Sequence, residues 1–94
     1  MPDVHVEITI PTLLADCVGG RTSFHLEAST LADALDRLRT LYPLLRVHLY
    51  EESGKLRQHV VIFYNGENTR WLDRLDMPLK PGDKIEVLQA VSGG

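Results

Sequence analysis

The chain ends Val91-Ser92-Gly93-Gly94, and the carboxylate of Gly94 is the group in it best suited to chemistry outside a folded body. Glycine has no Cβ and reaches positive φ freely, so Gly93-Gly94 presents little bulk and fits a channel too narrow for larger residues. From Ala90 to Gly94 an extended chain reaches about 17 Å at roughly 3.3–3.6 Å per residue. That is enough for a carboxylate to enter another protein's active site while the body stays outside. Capture of a terminal carboxylate by backbone donors is a general recognition mode. A frayed end is the plain alternative. With glycine near 7% of residues, two adjacent terminal glycines arise by chance in about 0.5% of chains, so chance is a poor account of the pair.

The remaining reactive side chains offer less. His5, His25, His48 and His59 lack the paired spacing of zinc ligands, so each is expected on a strand or the surface and no metal is expected. Cys17 is the only cysteine, which excludes an internal disulfide, a four-cysteine zinc site and a plant-type iron–sulfur centre. It has no neighbouring base and is expected in a loop as an incidental thiol. Glu51-Glu52 suits a solvated loop better than an acid/base pair. Tyr64 and Trp71 are expected to pack rather than stack nucleobases. Gly19-Gly20 lacks the lysine and helix context of a phosphate loop, so any ATP would be bound by another protein. No convergent acid, base or metal set appears, and no catalytic residue is expected.

The elements that must position the tail are legible from periodicity. Val4, Val6, Ile8 and Ile10 alternate with His5, Glu7 and Thr9, the period of a half-buried strand. Pro11 ends regular pairing, Gly19-Gly20 marks a turn, and residues 23–27 form a second strand with Phe24 and Leu26 on one side. Thr30 caps a helix with Asp33 in its first turn. Leu31, Ala34, Leu35, Leu38, Leu41 and Tyr42 recur on one face of it, and Pro43 stops it. Residues 44–50 suit a short helical turn and residues 51–55 an exposed loop. His59 to Tyr64 is a strand closed by Asn65-Gly66. The segment around Thr69-Arg70-Trp71-Leu72 is expected to pair weakly. Lys80-Pro81-Gly82-Asp83 is a turn, and Lys84 to Ala90 is the last strand.

Ninety-four residues make one domain, expected over residues 1–90 with a flexible tail at 91–94. With 44% hydrophobic and 24% charged residues the composition is ordinarily globular. A net charge of −3 and the lack of a Lys/Arg run argue against nucleic acid as a partner. No leader and no run of membrane-spanning length is recognised, so a cytoplasmic location without membrane contact is expected. Two strands, one helix and further strands imply an α+β two-layer fold, with first and last strands parallel at the centre of a mixed sheet packed on one main helix. That is a β-grasp, ubiquitin-like pattern.

Over nearly its whole length the chain resembles the ubiquitin-like sulfur carriers of the MoaD/ThiS family, especially the CysO-like branch. The resemblance is carried by Ile10-Pro11-Thr12-Leu13 with Gly19-Gly20, by Val60 to Asn65 with Gly66-Glu67, by Pro81-Gly82-Asp83-Lys84-Ile85, and by the ending Val91-Ser92-Gly93-Gly94. Gln89-Ala90 stands where many relatives have proline, and Ser92 where alanine is common. The resemblance implies that a ubiquitin-activating-type adenylating enzyme uses ATP to activate Gly94. Sulfur then displaces AMP to leave a thiocarboxylate, which a sulfur-accepting synthase consumes. It implies no cofactor on this chain and passage of Val91, Ser92 and Gly93 through the partner's active site. CysO-like character favours cysteine synthesis; a thiosugar, molybdopterin or thiamine-thiazole synthase would use the same donor. A protein modifier joined through Gly94 and a β-grasp interaction module remain as alternatives.

The strand Val60 to Tyr64 is apolar on both faces, which a one-sided sheet does not require. With Val60, Ile62 and Tyr64 inward, Val61 and Phe63 point outward, and alternation puts Leu88 outside with Glu86. Val61, Phe63 and Leu88 are therefore expected to form a docking patch for the activating enzyme. A loop covering them is the alternative.

Overall fold

The computed structural model describes residues 2–89. Alternation sets the sheet. β1 (Val4–Thr9) pairs antiparallel with β2 (Ser23–Ala28), with Ile8 opposite Phe24 and Val6 opposite Leu26. Those four side chains are buried, whereas His5, His25 and Glu27 lie outside. The connection between the strands is a 3-10 segment, Thr12–Val18, that inserts Leu14 and Val18 into the core and ends on Gly19 at φ 73°. Cys17 therefore sits half-buried on a 3-10 turn packed against the core, not in an open loop.

α1 (Leu31–Leu41) begins as its sequence predicts. The Thr30 hydroxyl accepts from the Asp33 N–H at 3.1 Å, and the Asp33 carboxylate accepts from the Ser29 N–H at 3.1 Å. These bonds satisfy donors that a helix start leaves unpaired. The Ser29 N–H holds the Asp33 carboxyl below the usual carboxylate range; partial burial opposes this, and Arg37 at the next turn assists it. Leu31, Ala34, Leu35 and Leu38 are buried, but Leu41 is 58% exposed because the chain turns at Tyr42. Tyr42 leaves the helix and packs edge-on against Phe24 at 5.2 Å.

Pro43 ends one helix and begins another. α2 (Pro43–Leu49) carries it in its first turn, where its fixed φ suits a helix and its missing N–H costs nothing. Leu45 and Leu49 are buried from α2, so the sheet packs on a main helix with a short second one beside it.

β3 (Val60–Tyr64) and β4 (Glu67–Asn68) are joined through Asn65-Gly66, both at positive φ (49° and 87°), as a tight hairpin turn requires. The expected pairing at residues 69–72 is not made. Pairing falls on Glu67–Asn68, and Thr69–Trp71 instead forms a 3-10 turn capped by the Asn68 side chain, which accepts from the Arg70 N–H at 2.9 Å. β5 (Lys84–Gln89) lies between β1, to which it is parallel, and β3, to which it is antiparallel, giving the order β2-β1-β5-β3-β4. Ile8 stands opposite Ile85, and Ile62 opposite Val87, at the centre of the core. This is the α+β, β-grasp architecture read from the sequence.

Candidate functional site

β5 carries the chain to Gln89, which pairs with Val60 at the end of β3. Gly94, with Val91, Ser92 and Gly93, lies outside the described residues, as does the boundary between a body ending at 90 and a tail. The fold does define what holds the strand that leads to them. Its entry turn places Pro81 before Gly82 at φ 86° and closes with the Asp83 N–H donating to the Lys80 carbonyl at 3.1 Å. The Gly82 N–H donates to the His5 carbonyl at 3.2 Å, and the Glu7 N–H to the Asp83 carbonyl at 2.9 Å, so the turn is stitched to β1.

Asp83, 8% exposed, is the one charged or polar residue in the buried set of the described residues. Its carboxylate accepts from the Tyr64 hydroxyl, from the Lys80 N–H at 2.9 Å and from Asn65 Nδ2 at 3.1 Å. Burial pushes this carboxyl up, but the three donors outweigh it and hold the group below the usual range. Burial, with the neighbouring Asp83 charge, pushes the Tyr64 phenol up to about 12. Asn65 Oδ1 also accepts from the Lys84 N–H at 2.9 Å. One carboxylate thereby ties the β3–β4 turn to the start of β5. Sequence reasoning found both turns but missed the bond between them, because Asp83 and Tyr64 are distant in sequence and meet only through strand pairing.

The outer face of the sheet divides in two. Over β2 and β1 it is polar: His5 meets Glu27 at 2.8 Å, and Lys84 reaches Glu7 at 4.0 Å. Over β3 it is apolar, with Val61 directly opposite Leu88 of β5 and Phe63 opposite Glu86, which with Lys84 makes the rest of the outer side of β5 charged. Val61 and Phe63 are half-buried and Leu88 is 45% exposed. The three residues singled out from the sequence therefore stand together on the face away from the helices, Phe63 beside the middle of β5 and Val61 with Leu88 toward its last described residue, Gln89. The 3-10 turn after β4 stands beside Phe63, and between them Phe63, Gly66, Glu67, Asn68, Trp71 and Leu72 line a cavity of about 330 Å³. Trp71 is not the packing residue expected: it is 82% exposed, since Leu72, not Trp71, turns toward the core. Tyr64 does pack against the core.

The other candidates do not converge. His5 lies on β1, His25 on β2, His48 on α2 and His59 just before β3. Among the described residues no group of three or more His, Cys, Asp or Glu is arranged to hold a metal ion. Glu51 and Glu52 are exposed in a loop. A larger cavity of about 510 Å³ opens between the helices and that loop, but its charges balance: Asp36 and Glu51 face Arg39 and Arg46. Arg39 is already held by Asp36 at 3.4 Å and over the Tyr50 ring at 4.7 Å. No helix among the described residues is long and apolar enough to cross a membrane.

Set beside known proteins, the chain matches the model of the ThiS family over residues 8–94. It is 32% identical to the sulfur carrier protein CysO of Mycobacterium tuberculosis, over 97% of this chain and 100% of that protein. A chain of the Amycolatopsis orientalis BexX/CysO complex superposes with a TM-score of 0.77 at 29% identity, covering 95% of this chain and 99% of that one. Small archaeal modifier protein 1 of Methanosarcina acetivorans superposes with a TM-score of 0.78 at 28% identity, covering 98% of each chain.

Proposed function

Since the chain belongs to the ThiS family, we propose that it is a sulfur carrier whose cargo is held on the Gly94 carboxylate. The observation that carries this is the full-length likeness to the CysO sulfur carrier together with the Gly93-Gly94 ending. A carboxylate resists attack because resonance and charge protect its carbon, so it must first be activated. In a ubiquitin-activating-type adenylating enzyme a Gly94 oxygen attacks the α-phosphorus of ATP and pyrophosphate leaves. A sulfur nucleophile then attacks the acyl carbon, AMP departs, and Gly94 ends as a thiocarboxylate. Its polarisable sulfur attacks the electrophile held by an accepting synthase, and hydrolysis of the resulting thioester returns the Gly94 carboxylate. ATP is bound by the activating partner, and this chain supplies neither cofactor nor catalytic group.

The body's part is docking. Val61, Phe63 and Leu88 seat the carrier on the activating enzyme while Val91, Ser92 and Gly93 thread its active site. An apolar patch beside β5, the strand that leads along the chain to Gly94, suits that task. Cysteine formation is the acceptor reaction that the CysO likeness favours, in the cytoplasm where activator and synthase work. A second assignment, conjugation of Gly94 to lysine amines, has its own support in the likeness to small archaeal modifier protein 1.

Intact mass after incubation with ATP, a sulfide source and cell extract tests the proposal. The expected result is an ATP-dependent gain equal to replacing one oxygen by sulfur, mapped to Gly94. Its absence, where a control carrier is charged in the same extract, overturns the carrier function. A Gly94 isopeptide remnant on cellular lysines would favour conjugation.

A further inference from the structure

Trp71 is the largest exposed apolar side chain among the described residues, and its turn is braced on both sides. The turn that presents it, Thr69–Trp71, is capped on one side by Asn68, whose side chain accepts from the Arg70 N–H at 2.9 Å. On the other side the Arg70 guanidinium donates to the Arg57 carbonyl at 2.7 Å, and Leu72 packs against the core immediately after the turn. An indole held in water at 82% exposure by a cap, an anchor and a packed neighbour is pre-organised for contact. Beside it lies the 330 Å³ cavity, walled by Phe63, Leu72 and the indole itself, with Gly66 at φ 87° adding no side chain to the wall. Its lining carries one charged group, Glu67; Glu86 stands next to Phe63 across the strand pair, and Arg70 is drawn away to Arg57.

We infer that this cavity is a specificity socket: the adenylating enzyme inserts an apolar side chain between Phe63 and Trp71, with a lysine or arginine beside it facing Glu67 and Glu86. The occupant follows from two features. Phe63 belongs both to the socket and to the patch with Val61 and Leu88, so whatever covers the patch covers the socket. The carboxylates at its edge complement a cation, which sets register on a partner better than apolar contact alone. Tryptophan at the centre of an interface commonly carries much of the binding energy. The assignment rests on the carrier function proposed above.

Charging kinetics with the purified adenylating enzyme that thiocarboxylates the wild-type chain test it. Trp71→Ala should raise the carrier's KM about tenfold with kcat unchanged, and Trp71→Phe should restore most of the loss. Glu67→Lys should raise KM about threefold at low salt and much less at high salt, since screening weakens exposed charge pairs. Thermal melts matching wild type establish that all three variants fold. Trp71 is the only tryptophan, so 5-fluorotryptophan labelling gives a single fluorine resonance that should shift when the enzyme is saturated. An unchanged KM for Trp71→Ala, or a resonance that does not move in the complex, overturns the socket. Normal charging with slowed delivery to the synthase overturns it too, by giving the site to the other partner. If no adenylating enzyme charges the wild-type chain, the carrier function itself fails and takes the socket with it. Failure confined to the variants leaves the carrier function standing.

Discussion

At the scale of single residues, Asp83 is the side chain on which most converges. Its carboxylate accepts three hydrogen bonds in a nearly buried position. Asparagine offers one acceptor oxygen and two unwanted donors, so Asp83→Asn should cost about 1–3 kcal/mol at pH 7. Melting temperature should then fall by several degrees, at about 4–8 °C per kcal/mol in a domain of this size. The folded state depresses the Asp83 pKa, so unfolding takes up a proton on acidification. Its contribution is fully present above about pH 4, where the unfolded carboxyl titrates, and is lost as pH falls through the folded value. The gap between wild type and Asp83→Asn should therefore close in melts below pH 4. Tyr64 has the opposite sense: its raised pKa makes the contribution complete below about pH 10 and lost as pH rises toward 12. Melts of Tyr64→Phe should decline less steeply than wild type over that alkaline range, the remaining slope including that of Tyr50, whose phenol is also pushed up by burial. Thr30→Ala, which removes the α1 cap, should cost about 1 kcal/mol by denaturant titration.

At the scale of elements, α2 shows how tertiary contact selects a short helix. Seven residues are too few to be helical alone, so what stabilises Pro43–Leu49 is burial of Leu45 and Leu49. Leu45→Ala should cost about 2–5 kcal/mol, whereas Leu44→Ala, at a site 63% exposed, should stay within about 0.5 kcal/mol. Equal losses in urea unfolding would show that helix propensity, and not the core, holds this element. β3 follows the converse logic. Val60 and Ile62 serve the core, while Val61 and Phe63 stay apolar with no core to face, which is the ground for the docking patch proposed on them and Leu88.

At the scale of the whole molecule, the core and the proposed docking patch lie on opposite faces of the sheet. The core lies between the inner face and the helices, Val61, Phe63 and Leu88 lie on the outer face, and the central strand β5 carries the chain to Gln89. Phe63→Glu should weaken charging by the activating enzyme about tenfold or more while the cooperative melt persists. Unchanged charging kinetics would remove the patch from the docking surface. Deleting Gly93-Gly94 should abolish thiocarboxylate formation and leave the melting temperature of the body unchanged. Intact mass and calorimetry on one sample read both outcomes.

Much of this was legible in the sequence, for local reasons. A period of two fixed the inward faces of β1, β2 and β5, and Thr30 with Asp33 fixed the start of α1, because alternation and capping depend on near neighbours. The family resemblance likewise needed only order along the chain. What escaped was non-local. Leu41 fits the helical stripe yet is exposed, because the turn at Tyr42-Pro43 ends the surface it would have covered. Trp71 has the composition of a core residue, but the bracing of its turn decides that Leu72 enters and Trp71 does not. Strand pairing, which no local pattern encodes, brought Asp83 to Tyr64 and set Val61 against Leu88. Sequence alone thus determined the main strands, the main helix and the family, since each is written in spacing along the chain. Tertiary structure alone decided which apolar side chains were left in water, because that depends on which surfaces the packed layers fail to cover.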